Sequence, residues 1–324
     1  MKVLITGILG FVGSHLAKKM VENGNEVYGV ARRVASRNME LIQDIKREVT
    51  LVSGDISDYV SIRNALKTVI PDVVVHLAAL SPVRDSFERP FEYEQTNLVG
   101  TMNVAHALLE LPDPKTRKLV AASTAEVYGL QGEKPIKENA HLLPTSPYAV
   151  SKAAADLYLQ MMFHTYNLHG SILRPANSYG RKYDCSFMIE YLITQMLNGE
   201  RVYVGAPDSI RDYMYIDDHT SAYTLAIEKE AADGETYNVG TGIGVTNREL
   251  AELIAQKVGY EANDIKFGSY PPGYPFRPAI SDQPYIVLDA AKIRSELQWS
   301  PKNSLDEGIS KTITYFRQQI RQKM

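Results

Sequence analysis

Lys2-Val-Leu-Ile-Thr-Gly-Ile-Leu-Gly-Phe-Val-Gly13 is the stretch whose reading decides the fold. A short apolar run, Lys2 to Thr6, meets glycines at 7, 10 and 13, spaced G-x-x-G-x-x-G. Ser14 to Glu22 then reads as a helix, Gly24 ends it, and Glu26 to Ala31 reads as a second strand. Strand, glycine turn, helix and strand open a doubly wound, Rossmann-type α/β fold with a parallel sheet. A side chain in the turn would hold a pyrophosphate away from the backbone. Glycines admit it, and the helix N-terminus supplies free N–H groups and a partial positive charge. Gly7, Gly10, Phe11, Val12 and Gly13 are therefore the expected dinucleotide contacts. The bland alternative is a turn that only packs helix on strand. Thr6 and the glycines break the apolar run, and no small-residue cleavage site follows, so a leader peptide is not expected.

The chain has 324 residues, 44% apolar and 23% charged, enough for a large core and a second lobe. A net charge of −3 gives no reason to expect a nucleic-acid partner. One cysteine, Cys185, excludes an internal disulfide framework and fits a reducing cytoplasm. The longest apolar run, Val73 to Leu80, is too short for a bilayer, so no membrane association is expected. The seven histidines lack metal-ligand spacing, and no metal is expected.

Outward from the opening unit, strand two runs into Arg32-Arg33. An acidic residue there would bind a ribose hydroxyl, whereas arginine pairs with a 2′-phosphate. The pair favours NADP, with NAD possible, unless both are solvated loop residues. Glu48 to Val52 reads as strand three. Asp55 beyond it is placed to accept from an adenine amino group, with Ile56 against the ring. Ser57-Asp58 cap a helix towards Val69. Val73-Val-Val-His-Leu-Ala-Ala79 reads as a strand buried on both faces. Leu77, Ala78 and Ala79 leave room for cofactor at its end, and His76 reads as a packed sheet residue. Ser81 to Glu94, with Ser81 and Arg84, reads as a site-lining loop. Asn97 opens a helix through Leu109.

Leu119 to Ala122 is the next strand, followed by Ser123-Thr124-Ala-Glu126-Val-Tyr128. Pro147-Tyr148-Ala-Val-Ser-Lys152 begins a helix to about Asn167. Tyr148 and Lys152 stand at i and i+4, on one helix face. A phenol of pKa about 10 is a poor base at neutral pH. An ammonium one turn away, with an oxidised nicotinamide nearby, would favour phenolate and lower that value. Tyr148 could then take a proton from a sugar hydroxyl, with Lys152 on the nicotinamide ribose. A chance Tyr/Lys pair on an amphipathic helix is the competing reading.

Together, Thr6–Gly13, Gly54-Asp55, His76–Ala79, Asn97–Thr101, Ser123–Gly129, Tyr148–Lys152 and Arg174-Pro-Ala-Asn177 resemble the extended short-chain dehydrogenase/reductase family, the branch acting on nucleotide sugars. The resemblance covers nearly the whole chain. It implies a tyrosine base at Tyr148, Lys152 beside it, a hydroxyl partner at Thr124 and a cofactor kept through the cycle. It also implies a homodimer packed through helices near 97–110 and 148–167. The expected division is a dinucleotide-binding domain of 1–175 plus about 212–240, and a nucleotide-sugar lobe of 176–211 and 241–324. In that lobe Asn177 opens a polar loop to Asp184, and Phe187 to Leu197 is a helix. Arg201 to Val204 is a strand, and Arg211 resembles the family's diphosphate-binding arginine. A salt bridge from Arg211 to Asp212 or Asp218 is the structural alternative. Thr246-Asn-Arg-Glu249 is a capping box. A proline-rich loop from Pro271 to Pro284 carries Arg277 as a second phosphate contact.

All branches oxidise C4 first and differ afterwards. Removing a C5 proton needs a base beyond Tyr148. If the strand continues, Thr124 and Glu126 point to one side, and Thr-x-Glu there resembles the 4,6-dehydratases. Ala125 stands where the dTDP-glucose branch carries an aspartate, and Arg32-Arg33 also looks more like the GDP-mannose branch. The leading expectation is a nucleotide-sugar 4,6-dehydratase of GDP-mannose type. The alternatives are a 4-keto reductase, a UDP-sugar 4-epimerase and a non-catalytic nucleotide-binding protein. The plain reading of Glu126 is a carboxylate that orders its loop.

Overall fold

The computed structural model describes residues 1–32, 37–182, 184–274 and 278–323. Six strands lie in the first part of the chain: β1 (Lys2–Thr6), β2 (Glu26–Ala31), β3 (Val49–Ser53), β4 (Val73–His76), β5 (Lys118–Ala122) and β6 (His169–Pro175). The second part holds β7 (Asn177–Tyr179), β8 (Val202–Val204), β9 (Ile210–Tyr215), β10 (Thr236–Val239), β11 (Gly244–Thr246), β12 (Ile265–Phe267) and β13 (Tyr285–Ile286).

The main sheet has seven strands in the order β3-β2-β1-β4-β5-β6-β10, all parallel. β10 returns to its far edge, beside β6. Alternate residues of β1 face opposite layers, as pleating requires. Val3 and Ile5 pack with Leu16, Ala17 and Met20 of helix Phe11–Glu22 and with Ala222 and Ala226 of helix Ile216–Glu228. Leu4 packs with Ile62, Val104, Leu108 and Phe163, from the helices Tyr59–Val69, Gly100–Leu109 and Pro147–Tyr166. All four residues of β4 are buried, consistent with a strand covered on both faces.

A smaller unit surrounds β9, which pairs antiparallel with β11 and parallel with β7 and β13; β8 and β12 form a separate parallel pair. Its core joins Leu192 and Ile193 of helix Met188–Leu197, Leu250 and Ile254 of helix Asn247–Val258, and Ile309, Ile313 and Phe316 of the final helix. The capping box at Thr246 and Glu249 is formed in full. Asp58, not Ser57, caps the helix that follows it.

Three sequence expectations need correction. The stretch from Ser81 to Glu94 is not open loop: it holds helical turns at Val83–Ser86 and Pro90–Tyr93. The buried Tyr93 hydroxyl donates to Pro82 O at 2.6 Å and folds the segment onto itself. The helix expected from Asn97 begins earlier, with a π-helical stretch Glu94–Val99. That widened turn delivers Asn97 inward, where its amide bonds both the N–H and the C=O of Leu80. Asn177–Tyr179 is strand rather than loop, because Tyr179 buries its ring while the backbone pairs with Tyr213–Tyr215.

The helix Pro147–Tyr166 is capped by Ser146 with Pro147 in its first turn. It is tied to β6 by Arg174, whose Nε and Nη2 bond the two Asp156 oxygens at 2.8 Å each. Both side chains are buried. Removing the carboxylate leaves a buried guanidinium without its counter-charge. Asp156→Ala is therefore expected to cost about 3–5 kcal/mol in urea unfolding; a loss below about 1 kcal/mol would show that this pair does not anchor the helix.

Candidate active site

The glycine turn is built for close approach. Gly7 has φ +73°, and a Cβ there would stand 2.8 Å from Ala78 N. A Cβ on Gly13 would stand 2.2 Å from Gly7 O. No side chain caps the helix beginning at Phe11, and its first turn holds no acidic residue. The N–H groups of that turn thus remain available to an anion. The residues fit a dinucleotide pyrophosphate.

Behind the turn runs a buried chain of hydrogen bonds whose directions can be assigned. Thr6 Oγ1 accepts from Leu77 N and Ala78 N, both at 3.2 Å, so its own proton goes to His76 Nδ1 at 2.8 Å. His76 is therefore an Nε2–H tautomer, donating to Thr101 Oγ1 at 3.0 Å, which donates to Asn97 O. Asn97 Nδ2 bonds Ser151 Oγ at 3.0 Å, and Ser151 Oγ donates to Tyr148 O at 2.8 Å. Burial holds His76 neutral, its pKa lowered to about 3. It is the packed sheet residue the sequence suggested.

Tyr148, Thr124, Glu126 and Lys152 line one cavity with the glycine turn, of about 940 Å³. β5 stops at Ala122, so the strand does not continue through Glu126 as the sequence reading supposed. Thr124 instead caps a short 3-10 turn, Ala125–Tyr128, accepting from Glu126 N at 3.3 Å. The turn brings Thr124 and Glu126 to the cavity by a different geometry. Burial raises the pKa of Tyr148, the Thr124 hydroxyl bonded to it pulls the other way, and the Glu126 charge raises it further. Lys152 does not lower it here, which corrects the sequence expectation. The Lys152 ammonium donates to Ala122 O instead, and burial lowers its own pKa to about 8. Glu126 is also held by Gln283, whose Nε2 bonds Oε2 at 2.9 Å.

Leu77, Ala79, Ser81, Arg84, Asn177 and Arg211 line the same cavity. Asp212 accepts from Thr241 and Gly242, and Asp218 from Lys302 and Asn303. Four expected cofactor residues, Arg32, Asp55, Ile56 and Ala78, are not on the lining. Ile56 is buried beneath Gly100 in the core rather than open to a ring, since a Cβ on Gly100 would meet it at 2.8 Å. One Asp55 oxygen closes its own turn on Ser57 N and Oγ. Arg32 is exposed at the end of β2; Arg33 and Arg277 lie outside the described residues.

Sequence reasoning missed several lining residues. Arg181 sits 4.4 Å from the Phe11 ring centroid and 3.5 Å from that of Phe187, tying the glycine turn to the second unit. Glu190 accepts from Gly180 N and Arg181 N at 2.9 Å each. His219 and Tyr223 project from helix Ile216–Glu228 into the cavity. Their i, i+4 spacing was the available signal, but it looks the same on any buried helix. Among the described residues no cluster of three or more His, Cys, Asp or Glu could hold a metal, and no helix is long and apolar enough to cross a membrane.

Comparison with known proteins fits this geometry. A family model described as GDP-mannose 4,6 dehydratase matches residues 4–312. A probable dTDP-glucose 4,6-dehydratase of Sinorhizobium fredii is 32% identical, over 98% of this chain and 93% of its own. The UDP-glucose 4-epimerase of Thermotoga maritima, solved with UDP-glucose, superposes with a TM-score of 0.87 at 31% identity, covering 99% of this chain and 100% of that one. The dTDP-glucose 4,6-dehydratase of Bacillus anthracis, solved with NAD, gives 0.87 at 26% identity over 99% and 98%. A glycine cradle, a Tyr-x-x-x-Lys pair facing it and this family match over nearly the whole length lead to one conclusion: the chain belongs to the NAD(P)-dependent sugar-nucleotide epimerases and dehydratases of the extended short-chain dehydrogenase/reductase family.

Proposed function

We propose that the chain is a nucleotide-sugar 4,6-dehydratase. The observation that carries this reading is Glu126, a carboxylate in the cavity of Tyr148 and close enough to act on its phenol. The glycine turn and Lys152 would hold a nicotinamide dinucleotide, which when bound would supply the hydride chemistry at C4 and C6. Tyr148 takes the O4 proton, and the Thr124 hydroxyl steadies the phenolate by donating to it. Lys152, charged, turns towards the ribose side of the cofactor. Glu126 removes the C5 proton while the C6 hydroxyl leaves. Ala125 offers no acid, so Glu126 also carries the proton to the departing oxygen, completing water and a C5–C6 double bond. Glu126 then takes a solvent proton and delivers it to C5 as C6 is reduced.

Ala125 supports a GDP-mannose-type substrate, while the similar enzymes named for dTDP-glucose make that sugar an equal first test. Arg32 supports NADP; the NAD found in a solved relative supports the alternative. We assign Ser81, Arg84, Asn177 and Arg211 to the sugar and diphosphate, and the unit around β9 to closing over the nucleotide. Val150 and Leu157, 44% and 55% exposed on helix Pro147–Tyr166, support a homodimer through that helix and its neighbour Gly100–Leu109. The lone cysteine, which is exposed, supports a cytoplasmic location.

Proton NMR with GDP-, dTDP- and UDP-hexoses, without added cofactor, is expected to show a new C6 methyl doublet. C4 epimers with C6 intact would make the enzyme a 4-epimerase, the second reading, which the similar Thermotoga maritima structure favours. Glu126→Gln is expected to slow methyl formation by about a hundredfold or more while C4 oxidation persists. An unchanged rate would remove its role as second base.

Lys152 gives a stability test. Its folded pKa, about 8, lies below the unfolded value, so folding carries a penalty wherever the buried ammonium must stay charged. Above about pH 8 the folded state releases the proton while the unfolded chain keeps it, and stability rises with pH. The advantage of Lys152→Met over wild type in urea unfolding is expected to shrink from pH 7 to 10. A constant difference would show that Lys152 titrates normally.

A further inference from the structure

Among the described residues that line the cavity, four carry a buried side-chain atom without a hydrogen-bond partner, Ser123, Glu190, His219 and Tyr223, and two of these atoms, His219 Nε2 and Tyr223 Oη, belong to one helix. Neither residue is more than 3% exposed. An unpaired buried polar group is costly, so two together on one helix call for a ligand. The residues stand one turn apart on helix Ile216–Glu228, with ring centroids 5.3 Å apart. Tyr223 lies close enough to Tyr148 for the Tyr148 phenol to raise its pKa. The orphan pair is therefore beside the reacting end of the cavity, not the adenosine end.

The chemistry of the pair can be assigned. Ser178 Oγ donates to Ala176 O at 3.3 Å and lies 2.9 Å from His219 Nδ1. The 2.9 Å contact fits an Nδ1–H that donates to Ser178 Oγ, and this is the tautomer proposed here. Burial and the nearby Arg181 hold His219 neutral, its pKa about 3. Nε2 is then a bare lone pair, an acceptor. Burial likewise keeps the Tyr223 phenol protonated, a donor. One acceptor and one donor on adjacent turns complement a primary carboxamide, which offers an N–H and a C=O side by side.

We propose that His219 and Tyr223 are positioning residues for the carboxamide of the nicotinamide ring, His219 Nε2 accepting from its NH2 and Tyr223 Oη donating to its oxygen. This rests on the reading of the chain as a dinucleotide-dependent enzyme. It adds to that reading a device that fixes which face of the ring turns towards Tyr148. Ser178, on β7, sets the tautomer and so links the socket to the strand that also carries Asn177.

The test is a binding measurement on the full chain, using NAD, NADP, ADP-ribose and the analogue in which acetyl replaces the carboxamide. Tyr223→Phe removes an oxygen that no protein atom uses, so folding is expected to be intact. It should weaken NAD and NADP by about five- to tenfold, the loss of one hydrogen bond, and leave ADP-ribose unchanged. The acetyl analogue, which keeps the carbonyl but lacks the N–H, should bind wild type about fivefold more weakly than NAD. That difference should vanish in His219→Leu. Equal weakening of NAD and ADP-ribose by Tyr223→Phe would mean a purely structural role and overturn the proposal, as would no change in either. If wild type binds ADP-ribose but shows no preference for carboxamide over acetyl, the His219 assignment falls. If it binds none of the four, the cofactor reading itself fails and takes the socket with it.

Discussion

The buried hydrogen-bond chain from Thr6 through His76, Thr101, Asn97 and Ser151 to the Tyr148 carbonyl is the constraint on which the site depends. It crosses the carboxyl end of the sheet, where the backbone leaves strand geometry and polar groups would otherwise be stranded in a dry interior. Each hydroxyl and the imidazole has one proton to give and one place to give it, and Asn97 Nδ2 donates to both Ser151 Oγ and Leu80 O, so the chain has a single direction. That direction requires a neutral His76, which burial supplies. The result couples the glycine turn, the end of β4 and the helix of Tyr148 without any covalent link.

Given that frame, the ionisation of the site waits for its ligands. Tyr148 is held protonated by burial and by the Glu126 charge, and Thr124 alone favours the phenolate. Lys152 sits back on the Ala122 carbonyl with a weakened hold on its proton. In the proposed mechanism Tyr148 reaches its phenolate only when positive charge from an oxidised cofactor and hydrogen bonds from a sugar enter the same volume, while Lys152 is already charged at neutral pH. An enzyme that lets its base form only in the loaded site avoids leaving a phenolate unpaired in an apolar wall.

Much of this was legible in the sequence, for reasons particular to each element. The glycine spacing of 7, 10 and 13, the apolar run of β4 and the Thr246–Glu249 box are local rules, and local rules survive folding. Tyr148 and Lys152 share a helix face whatever surrounds them. The electrostatics did not transfer, because i, i+4 spacing says nothing of burial: Lys152 turned to a backbone carbonyl thirty residues away. Thr124 and Glu126 were found through a strand that stops before them, and they reach the cavity by a 3-10 turn instead. Ile56 went into the core because Gly100, far away in sequence, leaves room for it. Arg181, His219 and Tyr223 belong to the site only through tertiary packing, and no local pattern distinguishes them from ordinary buried side chains.

The central claim is that Tyr148 takes the O4 proton as hydride leaves C4 for the bound cofactor. The most direct measurement is rapid-mixing absorbance of the reduced nicotinamide when the loaded enzyme meets its nucleotide sugar. Wild type is expected to show a transient rise and decay, and Tyr148→Phe, which keeps the ring and the fold, none on that timescale. A Tyr148→Phe protein that reduced its cofactor with wild-type amplitude and rate would contradict the account.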